Sequence, residues 1–156
     1  MLAGCVIFVP TGPGEISSGD APQSTTPVDA VCRNGEVELD QSESSYDLAG
    51  TCDLIVVSGN DILVVANEVE RIELRGDRAS VKVDRVDSVL VSGNDNSVEI
   101  AGLDGLDAVE ITGDRAAVRA TGVIDSAIVN GDENTVESEV GIETIADSGE
   151  RNSFAP

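Results

Sequence analysis

The chain contains no histidine and no tryptophan, and only one tyrosine, two phenylalanines and one methionine among 156 residues. Lacking histidine, it has no side chain whose ordinary pKa lies near neutrality, and Ser–His or Cys–His nucleophile pairs are excluded. Aromatics make up 2% of the chain against 40% hydrophobics, so any core is built from Val, Ile, Leu and Ala, which favours many thin aliphatic layers over one thick core. Positive charge is scarce as well: eight arginines and Lys82 face 30 acidic residues, for a net charge of -21. Such a surface repels phosphate backbones and anionic lipid headgroups, which argues against nucleic acid and against electrostatic binding to a membrane surface. The length suits one domain.

Proline and cysteine are few and unevenly placed. Four of the five prolines, Pro10, Pro13, Pro22 and Pro27, fall in a Gly-, Ser- and Thr-rich stretch without hydrophobic periodicity. This reads as a disordered tether over residues 1–30, ahead of a folded domain at 31–156. At its head, Leu2-Ala3-Gly4-Cys5 resembles the lipobox of bacterial lipoproteins, whose cysteine is lipidated and becomes the mature N-terminus. The resemblance implies a basic and apolar signal encoded upstream of Met1, and attachment to the outer face of the cell membrane through Cys5. The alternative is a free cysteine before the apolar run Val6-Ile7-Phe8-Val9. A bond between the remaining cysteines, Cys32 and Cys52, closes a loop of about twenty residues and stabilises the fold by roughly 3 kcal/mol in the loop-entropy model. Such a bond requires an oxidising compartment; two buried thiols are the alternative.

What the chain does contain is a repeat. Aligning Gly59, Gly76, Gly93, Gly113, Gly131 and Gly149, with Gln41 in the same place earlier, gives a period of 17 to 18 residues, stretched to 20 once near Asp104-Gly105. A fixed period of this size means a solenoid. Four residues before the glycine stand Val37, Ile55, Ile72, Val89, Val109, Ala127 and Ile145; two before it, Leu39, Val57, Leu74, Val91, Ile111 and Val129. They alternate with mostly polar neighbours, as one face of a strand does. Five after the glycine, Tyr46, Val64, Val81, Val98, Val118, Val136 and Phe154 open a second strand, and Cys52, Val69, Val86, Leu106, Ile124 and Ile142 supply a third inward row. The pattern predicts an all-β, single-domain parallel β-helix of about seven coils, each hydrogen-bonded to the next at roughly 4.8 Å. Tyr46 and Phe154, at the two ends of a column of valines, read as lids over the core. The glycine is expected to supply positive φ at a corner, with Asn94 or Asn96 hydrogen-bonding the turned backbone.

Two charged columns run along the stack. Two residues after the glycine stand Glu43, Asp61, Arg78, Asp95, Arg115, Glu133 and Arg151, alternating in sign from Asp61 onward, and Asp47, Val65, Lys82, Glu99, Arg119 and Glu137 follow four residues later. These read as ladders of ion pairs between coils, which also set register. A calcium loop at GNDN is disfavoured, since an arginine stands on each side of Asp95 in its column. Asp53, Glu70, Asp87, Asp107, Asp125 and Glu143 form a third column that does not alternate. Carboxylates about 4.8 Å apart repel by roughly 1 kcal/mol per neighbouring pair even in water. Two readings compensate them: Asx-turn hydrogen bonds from the backbone, or a line of bound cations such as calcium. The first needs no cofactor.

The V-x-V-x-G-[ND]-x-N-x-V-x-[VI] repeat, the early cysteine pair and the lipobox together resemble the actinobacterial lipoprotein family of domain of unknown function 3060, over about Val31 to Phe154. The resemblance implies an envelope-attached β-solenoid without an established activity. Two of the six glycine corners here read GDR, and the chain is strongly acidic, so a ligand shared across that family does not carry over. The functional expectation is a membrane-anchored structural or interaction module of the bacterial envelope, with an envelope protein or polysaccharide as partner. A cation-binding or adhesin-like solenoid is the alternative. A polysaccharide-cleaving β-helix is disfavoured because there is no nucleophile–base pairing and no loop long enough to close a cleft.

Overall fold

The computed structural model describes residues 28–32 and 35–156, so Cys5 and residues 1–27 of the expected tether lie outside the described residues. Within them the chain is all-β, with no helix. Its strands are β1 (Val28–Val31), β2 (Glu36–Leu39), β3 (Ser45–Val57), β4 (Leu63–Leu74), β5 (Ser80–Val91), β6 (Ser97–Ile100), β7 (Leu106–Ile111), β8 (Ala117–Ala120), β9 (Ile124–Val129), β10 (Thr135–Ser138), β11 (Ile142–Asp147) and β12 (Ser153–Ala155). Every pairing is parallel, as a coil that returns to the same place one layer higher requires.

Two walls face each other across the core. The first follows each glycine corner and stacks β1-β3-β4-β5-β6-β8-β10-β12. The second precedes the next glycine and stacks β2, β3, β4, β5, β7, β9 and β11. Strands β3, β4 and β5 belong to both walls because they run unbroken round the second corner. Beyond Ile100 that corner opens, and the Asp104-Gly105 insertion lies in the loop between β6 and β7.

The expected columns stack like on like: Val64 pairs with Val81, Val81 with Val98, Val98 with Val118 and Val118 with Val136. All five are buried. Two further inward rows went unforeseen. Ile62, Ala79, Asn96, Ala116 and Asn134 are buried three residues after the glycine, and Leu48, Ala66, Val83, Ile100, Ala120 and Ser138 seven after it. The Cys32–Cys52 disulfide is present with its Cα atoms 5.6 Å apart, tying the first coil to the body of the stack.

The ends differ from expectation. Strand β1 stacks on β3 with Val28 in register with Tyr46, so regular structure includes residues ahead of Val31. Tyr46 is therefore an interior rung, 7% exposed, and not a lid. Phe154 does lie at the far end of its column, partly buried against the core. In that last coil Ile142 is only partly buried, and Ile145 is 46% exposed.

The corner glycines do not have positive φ. That conformation belongs to the residue two positions later: Glu43, Asp61, Arg78, Asp95, Arg115, Glu133 and Arg151 all lie at φ between 55° and 59°. The glycine is required by proximity instead, since a Cβ on Gly76, Gly93, Gly113 or Gly131 would stand 2.0 Å from the carbonyl oxygen of the glycine one coil earlier. Substitutions at the two positions should therefore act in opposite directions. Gly93→Ala must push two coils apart and should cost about 1–3 kcal/mol in urea unfolding. Glu43→Gly, which relieves a left-handed residue without an ion pair among the described residues, should be neutral or stabilise by up to about 1 kcal/mol. A loss at Glu43→Gly as large as that at Gly93→Ala would contradict this division of labour.

Candidate functional site

The first corner is held by amide and carboxylate side chains that reach between coils. One residue after the glycine, the Asp77 N–H donates to Asn60 Oδ1 at 2.8 Å, Asn94 N–H to Asp77 Oδ1 at 2.7 Å, Asp114 N–H to Asn94 Oδ1 at 3.0 Å and Asp132 N–H to Asp114 Oδ1 at 2.8 Å. Asn96 works in the other direction: its Oδ1 accepts from Ala79 N–H at 2.8 Å, and its Nδ2 donates to the Gly76 carbonyl at 2.9 Å. Asn134 repeats both bonds two coils later, with Ala116 and Gly113. Asn94 and Asn96 thus do bond corner backbone, but that of neighbouring coils and not of their own. These bonds satisfy polar groups that burial would otherwise leave costly.

The residues at positive φ point outward and form the first charged column. Arg78 grips Asp61 with Nε and Nη2, both at 2.7 Å, and Arg115 grips Asp95 likewise at 2.7 and 2.9 Å. Arg151 pairs with Glu133 at 2.9 Å. Among the described residues the column is thus three separate pairs, because a guanidinium bound side-on to the carboxylate below it cannot also reach the one above. The second column gives Lys82–Glu99 at 2.9 Å and Arg119–Glu137. Hydrogen bonds from Arg78 and Arg115 hold the Asp61 and Asp95 carboxyls below the usual range, with some desolvation opposing.

Asp53, Glu70, Asp87, Asp107, Asp125 and Glu143 all lie exposed at the second corner. Among the described residues their carboxylates accept no hydrogen bond from backbone, so the turn-cap reading is incorrect. Asp87 has a partner only at 3.9 Å, in Arg85, which also stands 3.6 Å from Glu68. Among the described residues, no three Asp, Glu or Cys side chains are grouped so as to hold a metal ion. The column is a row of carboxylates facing water.

A groove of about 630 Å³ lies beside the first wall, lined by Glu99, Arg119, Thr121, Glu137, Ser138 and Glu139 among others. The Arg119 guanidinium in it is taken by Glu137. The Ser138 hydroxyl is also engaged, donating to the Gly122 carbonyl at 2.9 Å and accepting from Gly141 N–H at 2.8 Å. No family model matches this chain, nor does any curated protein or solved structure.

Two outcomes follow from these columns. The Asp87→Ala/Asp107→Ala/Asp125→Ala variant removes repulsion without removing a hydrogen bond, so its melting temperature should equal or exceed that of wild type at low salt, with the gap closing at high salt. Calcium should then stabilise wild type no more than a monovalent salt of equal ionic strength; a calcium-specific shift lost in the triple variant would instead mark a cation site. The second outcome concerns acid. Because the folded-state pKa values of Asp61 and Asp95 are depressed, their contribution is full above the unfolded value near 4 and is lost as pH falls through the folded values. Arg78→Ala/Arg115→Ala should therefore melt below wild type at about pH 6, and the difference should shrink below about pH 3. A difference independent of pH would show that the arginines act through packing alone.

Proposed function

We propose that this chain is an exported, lipid-anchored rod that serves as a structural or interaction module of a bacterial cell envelope. The observation that carries the reading is the Cys32–Cys52 bond in the first coil, because a disulfide in a small domain belongs to an oxidising compartment. The lipobox-like Leu2-Ala3-Gly4-Cys5 supplies the anchor, and acyl chains on Cys5 would hold the rod by its amino-terminal end, with its coils stacked away from that point. The resemblance to the lipoprotein family of domain of unknown function 3060 belongs to the same reading.

The side chains fit binding better than chemistry. Every arginine and lysine among the described residues of the solenoid is engaged in an ion pair, so none is left free to hold an anionic substrate in a cleft. The second reading, a cation-binding or adhesin-like solenoid, is favoured by the carboxylate row at the second corner, whose charge the protein leaves largely uncompensated. The calcium response of the triple alanine variant separates the two.

The anchor is tested by fractionation. Expressed with its native upstream sequence in a lipoprotein-processing host, wild type should sediment with membranes and partition into detergent, and Cys5→Ser should move to the soluble fraction. Equal solubility of the two forms would overturn the anchor.

A further inference from the structure

The outward side of the second wall carries a pattern that neither the fold nor the anchor explains. Its central column runs Glu38, Val56, Glu73, Leu90, Glu110, Ile128 and Ala146, each in register with the next. Acidic and aliphatic residues alternate coil by coil until Ala146. Beside it run Leu54, Arg71, Ser88, Ala108, Ser126 and Thr144, also in register. On the other side stand Ser58, Arg75, Ser92, Thr112, Asn130 and Ser148. From Leu54 onward these three columns hold only four charges, Arg71, Glu73, Arg75 and Glu110, which sum to zero in a chain of net charge -21.

The charges are not distributed evenly. Arg71 and Arg75 close over Glu73 at 3.2 and 2.7 Å, leaving its side chain 14% exposed while theirs are 52% and 59% exposed. That coil therefore presents one net positive charge. Two coils further on, Glu110 stands exposed between Ala108 and Thr112 and forms no ion pair among the described residues, presenting one net negative charge. Leu90 lies midway, with Val56 one step outside the positive coil and Ile128, 41% exposed, one step outside the negative one.

We propose that a second copy of this chain docks face to face on this wall, about a two-fold axis that lies along the strand direction at Leu90. Such an axis preserves position along the strand and reverses the stack. It sets Leu90 against the partner's Leu90, Val56 against the partner's Ile128, and the Arg71–Glu73–Arg75 group against the partner's Glu110. Serines 88 and 92 meet their own copies, and the acidic first coil meets the uncharged Thr144, Ala146 and Ser148. A pattern that is aliphatic at the centre and two steps either side, with opposite net charges one step either side, is complementary to itself under this operation. Another partner would impose no such symmetry. The area is about 24 Å along the stack by about 17 Å across, roughly 400 Å² per copy, below that of a permanent dimer. Association is therefore weak and concentration-dependent. The rim is unfavourable, since the carboxylate rows of the two copies run alongside each other, and salt screens it.

The inference does not depend on the lipid anchor, and it is tested on the described domain with its tether in a Cys5→Ser background. In sedimentation equilibrium at about 0.5 M NaCl, where the rim is screened, wild type should pass from monomer to dimer between about 10 µM and 1 mM. Arg75→Glu turns the positive coil net negative, and Glu110→Lys turns the negative coil net positive. Each alone sets like charges together and should weaken association at least about tenfold, whereas the two combined restore opposite signs and should recover most of it. Leu90→Cys, at the axis, should form a disulfide-linked dimer under mild oxidation, and Lys82→Cys on the opposite wall should not. Wild type that stays monomeric at about 1 mM, single variants that associate as wild type does, or a combined variant no better than the singles would overturn the proposal.

Discussion

The contact on which the whole structure depends is between backbones at the first corner. Gly76 sits so close beneath Gly93, and Gly93 beneath Gly113, that no side chain fits between one glycine's Cα and the carbonyl of the last. This fixes the vertical spacing at one point in each coil, and the flanking strands inherit it. The amide of the residue two positions on then donates to the corner carbonyl of the coil above: Asp61 to Asp77, Arg78 to Asn94 and Arg115 to Asp132, each at 3.0 Å. Side-chain amides from Asn94, Asn96 and Asn134 tie the same backbone. A corner locked at this spacing forces each residue to lie above its counterpart, and only then can a column of valines become a core.

Once columns exist, a choice made at one position of the repeat is multiplied along the rod. Neutral columns add, as with the buried valines. Charged columns cannot add without cost, and the molecule treats its two corners differently. At the first corner acid and arginine are paired off, so the left-handed residues carry charge without accumulating it. At the second corner the acids accumulate, and Arg85, near Glu68, Asp87 and Asp104, is the cation placed among them. Exposure to water makes that tolerable.

Much of this was legible in the sequence, for a physical reason. A parallel solenoid has a fixed coil length and a strand period of two, so aligning glycines projects Ile55, Ile72 and Val89 onto one line without knowledge of the path between them. What stayed hidden was hidden by chemistry that looks like something else. The charge on Asp61 and Arg78 drew attention away from their backbone, which is what sets the corner. Asn96 and Asn134 resemble exposed turn residues until the carbonyls above and below them are in place. Strand β1 has no glycine corner within the repeat to mark it, so Tyr46 passed for an end. The acidic column resembled turn caps because aspartate caps where backbone amides are free. In the walls of a solenoid an adjacent coil takes those amides, as the Gly35 carbonyl one coil earlier takes those of Asp53 and Leu54.

The same logic bears on how such a rod meets other molecules. Its ends are limited in area, and its long sides are what it can offer. The corners and the first wall carry most of the charge, either paired or facing water, and both states resist desolvation. The second wall beyond Leu54 is different: an aliphatic residue stands in every other coil, Leu90 between two serines and Ile128 between Ser126 and Asn130, and its few charges cancel. With acid in excess elsewhere, the side whose charges cancel is the one that meets the least electrostatic repulsion from another rod. Charge outside this wall thus still shapes recognition, by leaving one face as the place where contact is least opposed.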